Sequence, residues 1–300
     1  MYLEDNKLTE NSFPESFRNC KSLKGLTLHR NLMRTVPQCI FRIESLEELY
    51  LNENRLETLP KEVGLLVNLV ELGLENNRLV DLPRTLGLLK KLKILHAERN
   101  RIEELPKVRG RLPMPRRTPS PTPPVLSDKH AASSIALTHQ FNPKTFGKMS
   151  SLKQLFLNEN KLKKVPGGIG KCEKLETLNL EDNHLTGLPK RIVQIEGLKY
   201  LLLANNNLES LPFNPLTRAK GLRRMTLTGN QLSKEVLALE KMTAEIAAAR
   251  ESGDDDAVRE GIQASMGVLP TFAEVKEEEE EEEDDDDDDD GYGELGAMGK

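Results

Sequence analysis

One phrase returns along this chain at a fixed interval. The twelve residues from Leu49 read LYLNENRLETLP, and those from Leu155 read LFLNENKLKKVP. Between them come LGLENNRLVDLP from Leu72 and LHAERNRIEELP from Leu95. The step is 23 residues until Leu95, after which 37 extra residues intervene before the phrase resumes. A unit this short cannot bury its own apolar face, so each copy must pack against the next in a continuous array.

With the first Leu of each unit as slot 1, units begin at Leu23, Leu46, Leu69, Leu92, Leu152, Leu175, Leu198 and Leu222. Leu and related residues fill slots 1, 4, 6, 11 and 14, Asn fills slot 9, and Pro usually fills slot 15. Alternation at slots 4 and 6 predicts a short strand with one face inward. On the return leg, slot 18 (Ile40, Val63, Leu86, Ile169, Ile192) and slot 21 (Ile43, Leu66, Leu89, Cys172, Ile195) are three apart. That spacing predicts one helical or 3-10 turn closing each coil. The Asn ladder (Asn31, Asn54, Asn77, Asn100, Asn160, Asn183, Asn206, Asn230) is expected to bond backbone groups between coils, because a buried amide is costly unless both its donors and its acceptor are satisfied.

These residues resemble the leucine-rich repeat family, L-x-x-L-x-L-x-x-N-x-L-x-x-L-P, in the 23-residue form of intracellular scaffolds of Ras-pathway and scribble-type polarity proteins. The resemblance spans roughly 1–106 and 144–236. It implies an α/β leucine-rich-repeat solenoid, a right-handed horseshoe with a parallel sheet on the concave face and short helical or 3-10 turns on the convex face. It leaves the partner open. Met1 falls at slot 4, so the chain starts inside a unit. The expectation is a shortened product of a longer protein, or else an edge that a partner covers.

Five segments are expected: repeats over 1–106, a basic Pro/Ser/Thr-rich insert over 107–143, repeats over 144–232, a helical cap over 233–268 and an acidic tail over 269–300. The insert carries six basic residues against one acidic and rejoins without loss of register. Its composition cannot bury enough apolar surface to offset chain entropy, so disorder is expected there and in the tail. Thr118, Ser120 and Thr122 each precede a proline and are candidates for proline-directed phosphorylation beside Arg116 and Arg117. From Ser233, expected as an N-cap, Val236, Leu239, Met242, Ile246 and Ala249 fall at helical spacing, and Val258, Ile262 and Met266 mark a second helix. The pair reads as a cap over the last coil, with a partner-binding helix as the lesser reading.

Slots 2, 3, 5, 7 and 8 should face the concave side. They place Tyr50, His96, Phe156, Tyr200 and Leu202 there, with Glu48 and Glu71 in an acidic half. Exposed aromatics on a rigid sheet are typical anchors for protein partners. The charged concave residues sum to about neutral, which argues against nucleic acid on this face. Slot 10 holds Arg55, Arg78, Arg101 and Lys161, expected to pair with nearby carboxylates such as Glu57 and Glu103. Cys20 and Cys172, at slot 21, are expected to be buried, and Cys39, at slot 17, to point outward.

Nothing in the sequence arranges a nucleophile, a base or a phosphate-binding glycine loop. Three scattered cysteines and five scattered histidines predict neither metal nor cofactor. There is no signal peptide, membrane span or N-x-S/T sequon, so an intracellular, monomeric protein is expected, cytoplasmic rather than nuclear. The sequence therefore reads as a non-enzymatic scaffold or adaptor binding a protein on the concave face. Two rivals stay open. One is an acidic-tailed nuclear protein that takes a basic, histone-like partner through Glu277–Asp290, a run that could also contact basic surface of its own chain. The other is a fragment or subunit of a larger signalling protein or enzyme.

Overall fold

The computed structural model describes residues 1–105, 146–212, 214 and 221–266. Eight strands form one parallel sheet in chain order: β1 (Gly25–Thr27), β2 (Glu48–Tyr50), β3 (Glu71–Gly73), β4 (Ile94–His96), β5 (Gln154–Phe156), β6 (Thr177–Asn179), β7 (Tyr200–Leu202) and β8 (Arg224–Thr226). Each occupies slots 3 to 5 of its unit. The slot-4 leucines point into the core, and Leu49, Leu72, Leu95, Leu155 and Leu178 are fully buried. The 37 extra residues leave the register untouched: Leu95 pairs with Leu155 as Leu72 pairs with Leu95.

A left-handed residue follows each strand. Arg30, Glu53, Asn76, Arg99, Glu159, Asp182 and Asn205, all at slot 8, have φ of 53–55°, and Gly229, in the same slot after β8, has φ of 75°. This bend turns the chain so that the slot-9 Asn points inward. Asn77 shows the pattern that recurs along the ladder. Its Nδ2 donates to Leu51 O (2.9 Å) in the preceding coil and to Leu74 O (3.0 Å) in its own, while Oδ1 accepts from Leu56 N (3.0 Å). Asn160 carries the ladder across the insert, donating to Ala97 O at 2.9 Å and accepting from Ile102 N at 3.0 Å. The amides are therefore inter-coil connectors.

On the opposite side, 3-10 turns close the coils, as at Lys61–Leu65, Arg84–Leu88, Gly167–Lys171 and Lys190–Gln194. Each follows a proline whose fixed φ ends the extended segment and whose carbonyl accepts the first turn bond, such as Val63 N to Pro60 O at 3.1 Å. Slots 18 and 21 are buried as the spacing requires.

Two of the three cysteines depart from expectation. Cys39 is buried and Cys20 exposed, while Cys172 is buried as expected. Slot 17 is half-exposed at Glu62, Gly168 and Arg191 but buried at Cys39 and Thr85, where the turn lies against the preceding coil. Thr85, in the same slot, donates to Lys61 O at 2.5 Å. Cys20 lies in the partial coil before Leu23, and no coil packs on the outer side of that one among the described residues, so Cys20 lacks the neighbour that buries Cys172.

The C-terminal helices are α1 (Lys234–Ser252) and α2 (Asp255–Met266). Ser233 caps α1, accepting from Val236 N. α1 packs on β8 and on α2, burying Val236, Leu239, Ile246 and Ala247, with Thr243 buried where the stripe crosses polar sequence. Met242 and Ala249 are only half-buried. Glu240 Oε2 accepts from Leu227 N (2.8 Å) and Thr228 N (3.2 Å), covering donors that an edge strand would leave open. Gly261 lets the two helices approach closely, since a Cβ there would lie 2.7 Å from the Ile246 side chain.

Candidate partner-binding face

Four of the concave residues singled out in the sequence form one patch. The His96 and Phe156 rings stack with centroids 4.9 Å apart and planes 3° from parallel. Strand register sets this contact, because both occupy slot 5 of adjacent strands. On the other flank, Gly73 fills slot 5 between Tyr50 and His96. The Tyr50 ring leans over it, leaving a Cβ at Gly73 only 3.0 Å from Tyr50 Cδ1. Burial, the Glu71 charge and a hydrogen bond to Glu71 push the Tyr50 phenol up to about 12. It stays a neutral donor to that carboxylate.

His96 is the hinge of the local charge. Nδ1 lies 3.3 Å from Glu98 Oε1, and Nε2 lies 3.6 Å from Glu71 Oε1. The hydrogen bond to Glu98 raises the imidazole above its ordinary value against the opposing effect of burial, helped by the charges of Glu98, Glu71 and Glu75. The second oxygen of Glu98 is shut from solvent and has no hydrogen-bond partner among the described residues. Glu48, exposed on β2, stands in register beside Glu71.

Tyr200 and Leu202 stand apart, separated from Phe156 by Asn179 on β6. Tyr200 instead borders a groove of about 710 Å³ between the sheet and α1, lined also by Arg224, Met225, Leu237, Ala244 and Ala248. The helix is thus a wall at the C-terminal end of the concave face as well as a cap. A second stripe at helical spacing (Leu237, Lys241, Ala244, Ala248) carried that information in the sequence, but the stripe that packs on the coil is the stronger signal.

The expectation of near neutrality needs division by slot. Four of the slot-2 cations are held by neighbours: Lys24 by Glu47 (2.9 Å), Lys153 and Lys199 by Glu176 (3.3 and 2.6 Å), and Arg223 by Glu251 (3.3 Å). Arg99, in slot 8, bridges Glu159 (2.9 Å) and Glu75 (3.4 Å). Lys93, also in slot 2, is exposed with no carboxylate within 4.0 Å among the described residues. Glu48, Glu71 and Glu98 therefore face the patch with His96 and, at its edge, Lys93 to offset them, and its centre stays acidic. The slot-10 row behaves differently from expectation. Arg55, Arg78, Arg101 and Lys161 are exposed, and none has a carboxylate within 4.0 Å among the described residues. Their long side chains leave the rim for water, where pairing adds little.

No group of three or more His, Cys, Asp or Glu side chains among the described residues could hold a metal ion. No helix among them is long and apolar enough to cross a membrane. Thr118, Ser120, Thr122 and the acidic run lie outside the described residues.

The leucine-rich repeat family model matches residues 1–56, 44–102, 137–185 and 173–232. The chain belongs to the leucine-rich repeat family. Among solved structures, it is similar to a leucine-rich repeat protein of Leptospira interrogans at 26% identity, covering 80% of this chain and 67% of that one with a TM-score of 0.32. It is also similar to internalin C2 of Listeria monocytogenes at 18% identity, covering 76% and 79% with a TM-score of 0.53. No curated protein matches the chain. The leucine-rich repeat fold is generally non-catalytic, consistent with a protein-interaction module.

Proposed function

We propose that this chain is a non-enzymatic adaptor that holds a protein partner on its concave face, of the kind formed by intracellular 23-residue-repeat scaffolds. The observation that carries the reading is the Tyr50–Glu71–His96–Phe156 patch, an aromatic pair and an acidic centre on a rigid sheet. Aromatic anchors of this type carry most of the binding energy at protein interfaces. Glu48 extends the acidic side, and Tyr200 and Leu202 form a second contact toward α1. The excess of carboxylates over cations favours a partner with basic side chains opposite β2 to β4. A monomer in the cytoplasm, with an insert over 107–143 open to phosphorylation at Thr118, Ser120 or Thr122, completes the proposal.

The test is Tyr50→Ala combined with Phe156→Ala. The double variant is expected to keep the wild-type circular dichroism and to lose about 2–4 kcal/mol of partner affinity. Capture of every partner at unchanged affinity would remove the reading. A basic, histone-like partner of the run Glu277–Asp290 is the second reading, favoured by fourteen adjacent carboxylates. Its binding would survive the double variant and fade with salt.

A further inference from the structure

The groove between the sheet and α1 is apolar at its floor and cationic at its mouth. Met225 and Leu237 line the floor, the small side chains of Ala244 and Ala248 keep it open, and Tyr200 is 37% exposed along one side. At the mouth, Arg224 has no carboxylate within 4.0 Å among the described residues, whereas Arg223 and Lys199 each hold one. Two carboxylates also line the groove, and both are already engaged: Glu240 accepts from the Leu227 and Thr228 amides, and Glu251 pairs with Arg223 at 3.3 Å.

We propose that this groove seats the C-terminal segment of the same chain, with Phe272 as its apolar anchor and the acidic run leading out over Arg224, Arg223 and Lys199. Three observations select that occupant. The first is order. The chain after α2 reads GVLPTFAEVK and then Glu277–Asp290, an apolar stretch followed at once by carboxylates, as the floor and mouth require. The second is reach. Asn214 Nδ2 donates to Ser265 O at 3.1 Å, fixing the end of α2, and Gly261 places α2 against Ile246. Ile246 lies on the side of α1 opposite Ala244 and Ala248, by the 100° advance of a helix per residue. The segment must therefore pass around one helix, about 10–12 Å across. Six residues from position 267 to Phe272 reach roughly 20 Å. The third is linkage: joined to the same fold, the segment sees the groove at high effective concentration, so modest complementarity fills it. A seated segment would cover Tyr200 and compete with a concave partner at that end. The inference itself does not depend on the partner.

The chain contains no Trp, so Phe272→Trp in the full-length protein adds one reporter with no background. A blue-shifted emission, constant over a wide dilution range, and severalfold weaker quenching by acrylamide than in the released form are expected. Release is expected from Ala244→Glu with Ala248→Glu. Both alanines are exposed on α1, so helix content should hold, and Tyr200→Ala provides a second release variant outside the helix. Several outcomes would overturn the proposal. These are emission typical of a free indole in the parent, quenching unchanged by either groove variant, and a blue shift lost on dilution, which would mean a second copy's segment. Release by Arg55→Gln, Arg78→Gln and Arg101→Gln instead of the groove variants would move the segment to the slot-10 rim.

Discussion

At the scale of residues, the concave face turns on one imidazole held between carboxylates. Its pKa is raised above the ordinary 6.5, chiefly by the bond to Glu98. The protonated ring is the form that fits Glu71 and Glu98, so its contribution to stability is full below pH 6.5 and fades as pH rises through the raised folded value. Glu98→Gln removes the largest cause while keeping the side chain's size. The expected result is a downward shift of the His96 midpoint, followed by NMR of the ring protons, together with a loss of stability on the acid side. An unmoved midpoint would mean that Glu71 and Glu75 govern the ring. A partner that brings a basic side chain to Glu98 competes with the imidazolium, so its affinity should rise with pH across the same window.

Elements in this fold are too short to be stable alone. A three-residue strand has few bonds of its own, and its order comes from neighbours on both sides. Among the described residues β8 has a neighbouring strand on one side only, and Glu240 of α1 supplies the missing acceptors for Leu227 and Thr228. Glu240→Ala should therefore act on the sheet more than on the helix. Hydrogen exchange at the Leu227 and Thr228 amides is expected to accelerate severalfold, with a loss of about 1 kcal/mol in stability, since one bond is only partly buried and the other exposed. Unchanged exchange at both amides would show that water or another group already serves them. The slot-8 bends have the same dependence on context. Arg30, Glu53, Arg99 and Glu159 hold a left-handed conformation that costs roughly 1–2 kcal/mol per residue. The stacked coils impose it because only that bend delivers the Asn amide to its partners.

Over the whole molecule, the solenoid treats residues 107–143 as absent. The sheet register and the Asn160 bonds pass directly from the fourth coil to the fifth. Joining Pro106 to Lys144 restores the 23-residue step, so the deletion is expected to leave unfolding cooperative and the melting temperature within a few degrees of wild type. A broadened or two-step transition in calorimetry would show that the insert packs on the repeats. Nearest-neighbour coupling also predicts that damage spreads: a break at the β4–β5 junction would divide the array into blocks that melt separately.

The period alone determined most of the architecture. Eight in-register units, the slot-4 leucines, the Asn ladder and the proline-led turns were all legible, because each unit repeats one local solution and every copy reinforces the reading. The aromatic positions Tyr50, His96 and Phe156 were legible for the same reason, since a slot number states which side of the sheet a residue faces. What tertiary structure decided lies where the repeat stops or where side chains choose partners. The exposure of Cys20 follows from a missing neighbour at the first coil, and the burial of Cys39 from the packing of one turn on another. The lean of Tyr50 over Gly73 and the His96–Phe156 stack depend on rotamers that no spacing encodes. The acidic half was legible in Glu48 and Glu71, but which cations are held by their own neighbours was not, and the groove emerged only once α1 was placed beside Tyr200. Periodicity specifies which way a residue points. Charge balance and cavities depend on distances between residues far apart in the chain, and only the packed fold sets those.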